Sequence, residues 1–232
     1  MKYISYIFSF FLLYMPLHAQ DVWVADASIG IAIPIGNAAA DDMSSPKSGF
    51  AGIGGAIRFY TALKPSKHLG FLVQLDAAMF QPKTGALSEY VMQQYGLNIQ
   101  PTTTYYRYGA VHGGMFMSGI IRGDYWALDG RVTAGYMWAQ SPMIEYRMGQ
   151  DIYYKLYESN GGGVSFNAGF GARYKFWKFM FTSMAFDFVG AFPRFENVIT
   201  ETRVGPETQT SMNSYFQFIG NFIITGGIGI SF

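Results

Sequence analysis

Residues 216–232 read FQFIGNFIITGGIGISF and alternate in character. Phe216, Phe218, Phe222, Ile224, Ile228, Ile230 and Phe232 share one parity, while Gln217, Asn221, Thr225, Gly227, Gly229 and Ser231 share the other. Successive side chains of a β-strand point to opposite faces, so this segment predicts a strand with one greasy face and one small or polar face. The same period recurs upstream. Trp23, Ile29, Ile31, Ile33 and Ile35 oppose Asp26, Ser28, Gly30, Ala32 and Pro34. Ile53, Ile57 and Phe59 oppose Gly52, Gly54, Ala56, Arg58 and Tyr60. Leu69, Phe71, Val73, Leu75 and Met79 oppose Gln74 and Asp76. Val111, Met115, Met117 and Ile121 oppose His112, Gly114 and Ser118.

Three more segments complete the set. Trp126, Leu128, Val132, Tyr136 and Trp138 alternate with Asp129, Arg131, Thr133 and Gly135. Val164, Phe166, Phe170 and Tyr174 alternate with Ser165, Asn167, Gly169, Gly171 and Arg173. Met180, Met184, Phe186 and Phe188 alternate with Ser183, Ala185 and Asp187. About eight strands with an apolar outside and a polar inside suit a small antiparallel barrel that crosses a membrane.

The connections alternate in length. Those at 65–67, 122–124 and 175–178 are tight, whereas those near 36–48, 82–104, 140–162 and 193–214 are long. Membrane barrels have short periplasmic turns and longer external loops, so a periplasmic N-terminus puts every long connection outside. Within the second loop, residues 86–96 (ALSEYVMQQYG) predict a short helix. Trp126 and Trp138 are twelve residues apart, about 40 Å along a strand. Tilted by about 40°, that spans roughly 30 Å of height and places one Trp at each edge of an apolar band. Trp23, Trp126 and Trp138 are therefore the expected aromatic girdle.

Composition fits a chain that meets lipid. It is 50% hydrophobic and 18% aromatic but only 13% charged, about half the charge of an ordinary soluble domain. No apolar run beyond the first twenty residues is long enough for a spanning helix, and strands meet hydrocarbon only in closed barrels, where every backbone group is paired. Residues 1–19 read as a secretory signal: Lys2, the apolar stretch 4–17, and Leu17-His18-Ala19 at the cleavage point. The mature chain, 20–232, is read as one barrel domain, with no linker or internal repeat beyond the hairpin rhythm. It keeps 15 basic and 15 acidic residues, and this balance argues against a nucleic-acid partner. Cysteine is absent, which removes disulfides, thiolate metal sites and N-terminal cysteine lipidation.

The inward positions collect Asp26, Arg58, Asp76, Asp129, Arg131, Arg173 and Asp187. An eight-stranded barrel is just wide enough for side chains to fill it, and enclosed charges must pair or be hydrated. These residues predict a salt-bridged polar plug weighted toward the periplasmic half. The alternative is a narrow ion path through the same charges. Candidate chemistry is sparse. The mature chain has two histidines, His68 at a short turn and His112 inside, without a serine two residues away. A structural, hydrogen-bonded role for His112 is expected, with no catalytic, cofactor or metal site. Gly52-Ile53-Gly54-Gly55 lies in a strand with no helix behind it and is no phosphate loop. The third loop carries Tyr146, Tyr153, Tyr154 and Tyr157 among Glu145, Arg147, Asp151, Lys155 and Glu158. That mixture suits a contact surface and an aromatic girdle above the lipid equally.

With the signal ending at Ala19, SIGIAIPIG at 28–36, GGIGISF at 226–232 and the hairpin rhythm between, the chain resembles the small outer-membrane β-barrel families of Gram-negative bacteria, of the OmpX and PorT type. The resemblance covers the whole mature chain. It implies an outer-membrane location, contact with outer-membrane lipid, and a last strand ending at Phe232 that serves the barrel-assembly machinery as its signal. It implies little about activity, because members include adhesins, structural barrels and secretion-associated proteins. The expected function is a non-enzymatic integral barrel whose loops contact an external ligand or a membrane-protein partner. The alternatives are a lipid-modifying enzyme acting through His112 and a small channel or secretion-machinery subunit.

Overall fold

A computed structural model describes residues 22–41, 48–66, 68–122, 125–149 and 152–232. The expected signal segment and part of two tight turns lie outside the described residues. In chain order the strands are β1 (Trp23–Ile35), β2 (Ala51–Leu63), β3 (Leu69–Pro82), β4 (Thr102–Thr103), β5 (Tyr106–Arg122), β6 (Trp126–Gln140) and β7 (Ile144–Met148). They continue with β8 (Ile152–Leu156), β9 (Asn160–Lys175), β10 (Met180–Ala191), β11 (Arg194–Val204), β12 (Glu207–Phe216) and β13 (Ile219–Ser231). An α-helix, α1, spans Thr84–Tyr95.

Eight of these strands close on themselves in the order β10-β13-β1-β2-β3-β5-β6-β9, and β9 pairs β10 to complete the ring. Every pairing in the ring is antiparallel. Closure leaves no sheet edge inside the wall, the one arrangement that lets strands face hydrocarbon. Trp23 N–H donates to Phe232 C=O at 2.8 Å and Phe232 N–H returns to Trp23 C=O at 3.0 Å, so the first and last staves seal the same corner. The outer wall is a continuous apolar belt. Ile29 is 70% exposed, Phe71 70% and Val164 71%, values that suit lipid and not water. No helix among the described residues is long and apolar enough to cross a membrane.

The polar-inside expectation needs one correction. Val24, Tyr60, Leu72, Phe116 and Phe181 point inward near the short turns and pack as one cluster. Phe80, Tyr106, Tyr108, Met137, Val189, Phe195, Ile219 and Ile223 form another toward the long connections. The charges at mid-barrel thus lie between two apolar clusters. A narrow lumen excludes bulk water, so apolar side chains fill the levels where no charge needs a partner.

The long connections are more ordered than their sequence suggests. Strands β12-β11-β8-β7-β4 form a sheet continuous with the barrel, joined through the short pairing of β11 with β9. Phe218, expected in the last strand, lies between β12 and β13, and Phe216 ends β12. The helix starts two residues earlier than expected and stops at Gly96 (φ +66°), whose N–H caps Met92 C=O at 2.9 Å. Its Leu87 and Val91, four residues apart, bury one face against Phe50, Ile99, Ile144 and Tyr146. Residues of all four long connections therefore meet in a single cap.

Candidate functional site

Six strands contribute to one hydrogen-bonded chain across the lumen. Arg131 (β6) clamps Asp187 (β10) with two bonds, Nε to Oδ1 at 2.6 Å and Nη2 to Oδ2 at 2.5 Å. Arg58 (β2) donates Nη1 to the same carboxylate and Nε to Asp76 Oδ1 (β3) at 2.6 Å. Asp76 Oδ2 also accepts from Gln74 Nε2 at 2.6 Å and lies 3.1 Å from His112 Nδ1 (β5). His112 Nε2 lies 2.9 Å from Ser165 Oγ (β9). Alternation places every one of these side chains on the inner face, and all are buried. Register explains the juxtapositions: Arg58 pairs with Asp76, Gln74 with His112, His112 with Gly135 and Gly135 with Ser165.

A second group lies nearer the short turns. Arg173 engages Asp129 through Nε and Nη2, the latter at 2.9 Å, and donates to Ser118 Oγ at 2.9 Å. Asp26 accepts from Ser183 Oγ at 2.6 Å. Arg173 also lies over the rings of Phe116 and Phe181, at 5.7 and 5.1 Å, and Arg131 over Tyr60 at 5.4 Å. The two groups meet around a cavity no larger than about one water, lined by Asp26, Ser28, Tyr60, Asp129, Arg131, Arg173 and Ser183. The seven inward charges noted in the sequence therefore lie in two adjacent clusters, at mid-barrel and just below it.

Glycine makes room for the clamp. A Cβ added at Gly169 would lie 1.9 Å from Asp187 Oδ1, so only a residue without one lets that carboxylate stand upright between the two arginines.

Local sequence did not reveal Ser165 as the partner of His112. The pair is 53 positions apart and meets through the register of β5, β6 and β9. The one legible signal is that Ser165 and His112 both fall on the inward parity. Ser165, His112 and Asp76 follow the nucleophile, base and orienting-acid order of acyl-transfer sites. Here, however, Ser165 is 0% exposed, and Asp76 is shared with Arg58 and Gln74. The arrangement locks β3, β5 and β9 together. His68, the other histidine among the described residues, sits at the short-turn end, with Nδ1 3.3 Å from Ser118 C=O.

The three tryptophans expected to form a girdle sit on the outer wall. Trp126 and Trp138, near opposite ends of β6, are exposed; Trp126 packs on Tyr174 at 4.9 Å and Trp138 on Tyr136 at 5.1 Å. Trp23 is half-buried and lies 4.6 Å from the ring of Phe232.

The tyrosines of the third connection divide between the two faces of the cap sheet. Tyr146 and Tyr154 stack at 4.8 Å on the side facing α1. On the opposite face, Tyr153 lies between Arg147 and Arg203, at 5.6 and 5.9 Å. Beside it, Lys155 Nζ bridges Glu145 at 3.2 Å, and Tyr157 O–H donates to Glu201 at 2.9 Å. These hydrogen bonds favour the protonated forms of Lys155 and Tyr157, and both groups titrate above their ordinary values.

No family model matches the chain, and no curated protein does. Solved barrels of the outer membrane resemble it at low identity. A major outer membrane protein from Thermus thermophilus has 11% identity and a TM-score of 0.49, covering 90% of this chain and 99% of that one. The outer membrane protease OmpT from Escherichia coli has 10% identity and a TM-score of 0.47, covering 94% and 99%. Ail, the attachment invasion locus protein of Yersinia pestis, has 11% identity and a TM-score of 0.41, covering 90% and 98%. Likeness at these values says nothing of activity.

Proposed function

We propose that this chain is an integral outer-membrane barrel with a closed interior, whose work is done by the folded cap on its external side. The chain of bonds from Arg131 through Asp187, Arg58, Asp76 and His112 to Ser165 carries this reading. It spans the lumen, and apolar clusters lie on both sides of it. Moving a hydrated ion through would mean separating buried charges, each break costing about 3–5 kcal/mol. The interior therefore serves as a structural tie, which leaves the cap sheet and α1 as the surfaces able to meet a ligand or a membrane-protein partner. Planar-bilayer recording of the purified protein tests the closed interior: no steady conductance is expected, and a large steady one would overturn it. Excising 82–104, 140–162 and 193–214 in turn tests the cap, because loss of phenotype should follow individual loops.

A second reading rests on the Ser165–His112–Asp76 relay: a serine-dependent acyl hydrolase acting on lipid esters that enter the barrel. Labelling of Ser165 by a fluorophosphonate, abolished in Ser165→Ala and weakened in His112→Gln, would favour it. A protein that stays unlabelled in its native membrane would remove it.

A further inference from the structure

The cap sheet has two edges, and they are not alike. One is β4, only two residues long. The other is β12, ten residues that pair, among the described residues, with β11 alone. Nine of the ten β12 residues are exposed; Tyr215, at the base, is the one that packs inward, on Phe195 at 5.8 Å. The composition of β12 nevertheless favours a strand: Thr208, Thr210, Met212, Tyr215 and Phe216 stand among small polar residues.

Edges this long are normally blunted by lysine, by proline, by an inward charge or by a bulge in the edge strand. Between Glu207 and Phe216 there is no lysine, arginine or proline, and Glu207 at the tip is the one charge. The hairpin irregularity lies at the base, on the β11 side, where the register shifts between Phe195 and Val198 and Asn197 has φ +54°. The outward backbone of β12 thus runs straight and unguarded from a two-residue turn at Gly205-Pro206 down to the barrel rim.

We infer that β12 is the docking edge for an extended segment of a partner protein, which adds to the cap sheet as a further antiparallel strand. This deepens the proposed function and rests on the cap being the working surface. The occupant follows from the chemistry of the edge. Alternating N–H and C=O groups are matched along their whole length by another extended backbone. A charged segment would find no counter-charge between 208 and 216, so the segment is uncharged. Met212 and Phe216, 62% and 61% exposed on the same parity, offer apolar contacts four residues apart. The incoming strand therefore carries apolar residues at matching alternate positions.

A photo-crosslinking residue placed at 208, 210, 212 or 214 of the full chain, in its native membrane, tests this. Strand addition predicts adducts whose mapped sites step two residues at a time, in reverse order, along one uncharged segment. Met212→Lys with Ser214→Lys leaves both side chains in solvent and should cut adduct yield at least tenfold, with folding checked by heat-modifiable mobility. Three results would overturn the inference: no adducts, sites scattered without stepwise order, or sites on a second copy of this chain. If excising 193–214 still abolishes the phenotype while the stepwise pattern is absent, the edge reading fails and the cap reading stands.

Discussion

Asp187→Asn isolates what the interior ion pairs contribute. The carboxylate is fully buried and receives both Arg131 bonds, at 2.6 and 2.5 Å, together with Arg58 Nη1. An amide of the same shape keeps one acceptor oxygen but loses the charge and points an NH2 at donors. Arg58 retains Asp76 at 2.6 Å, whereas Arg131 loses its paired charge and keeps at most the amide oxygen and the ring of Tyr60 at 5.4 Å. Removing one partner of a buried pair costs about 3–5 kcal/mol, because the other charge stays desolvated and uncompensated. For a chain of this size, about 2–4 °C per kcal/mol makes that a fall of roughly 6–20 °C in unfolding midpoint. Heat-modifiable electrophoretic mobility measures the midpoint, and equilibrium urea unfolding in detergent measures the free energy. The double variant Asp187→Leu, Arg131→Met should recover most of the loss, since well-packed apolar replacements of a buried pair are often neutral. A shift below about 2 °C in Asp187→Asn would refute the reasoning, for it would place the clamp in the range of an exposed ion pair.

Three further predictions concern different levels of the structure. Gly169→Ala should lower stability by about 1–3 kcal/mol without changing charge, because its Cβ would stand 1.9 Å from Asp187 Oδ1; an unchanged urea midpoint would contradict this. Deleting Phe232 removes its ring contact with Trp23 at 4.6 Å and its two backbone bonds with Trp23 at the end of the β1–β13 pairing, so the yield of folded protein in the membrane should fall; equal yield would refute the role. Tyr157 donates to Glu201, which raises its folded pKa above that of a free phenol, so its stabilising bond is present below about pH 10 and is lost as pH rises through the folded value. Ultraviolet titration should show Glu201→Gln ionising this tyrosine earlier than the parent chain, and coincident curves would count against the bond.

The period-two pattern was enough to place the wall. Ile29, Phe71, Val132 and Ile228 stand toward lipid, as their parity requires, because a strand has only two faces and a closed barrel assigns one to each solvent. The same parity put Asp26, Arg58, Asp76, Asp129, Arg131, Arg173 and Asp187 on the inner face. It did not say which charge meets which, because the partners are separated by 18 positions for Arg58 and Asp76 and by 129 for Arg58 and Asp187. Strand register and the curvature of the closed wall chose those pairs, and with them the Ser165–His112 contact. Parity put Phe116, Phe181 and Ile223 on the inner face as well, but the polar-inside reading passed over them, since filling a narrow lumen is a demand of volume and not of polarity. The cap lay furthest from local reading. Residues 140–162 and 193–214 carry weak alternation, and they become strands because β11 finds β8, β9 and β12 as neighbours at the barrel rim. Sequence by itself determined a wall with two solvents and a charged interior; tertiary structure decided the ion pairs, the apolar layers and the sheet above, because each depends on distances that close only when the barrel does.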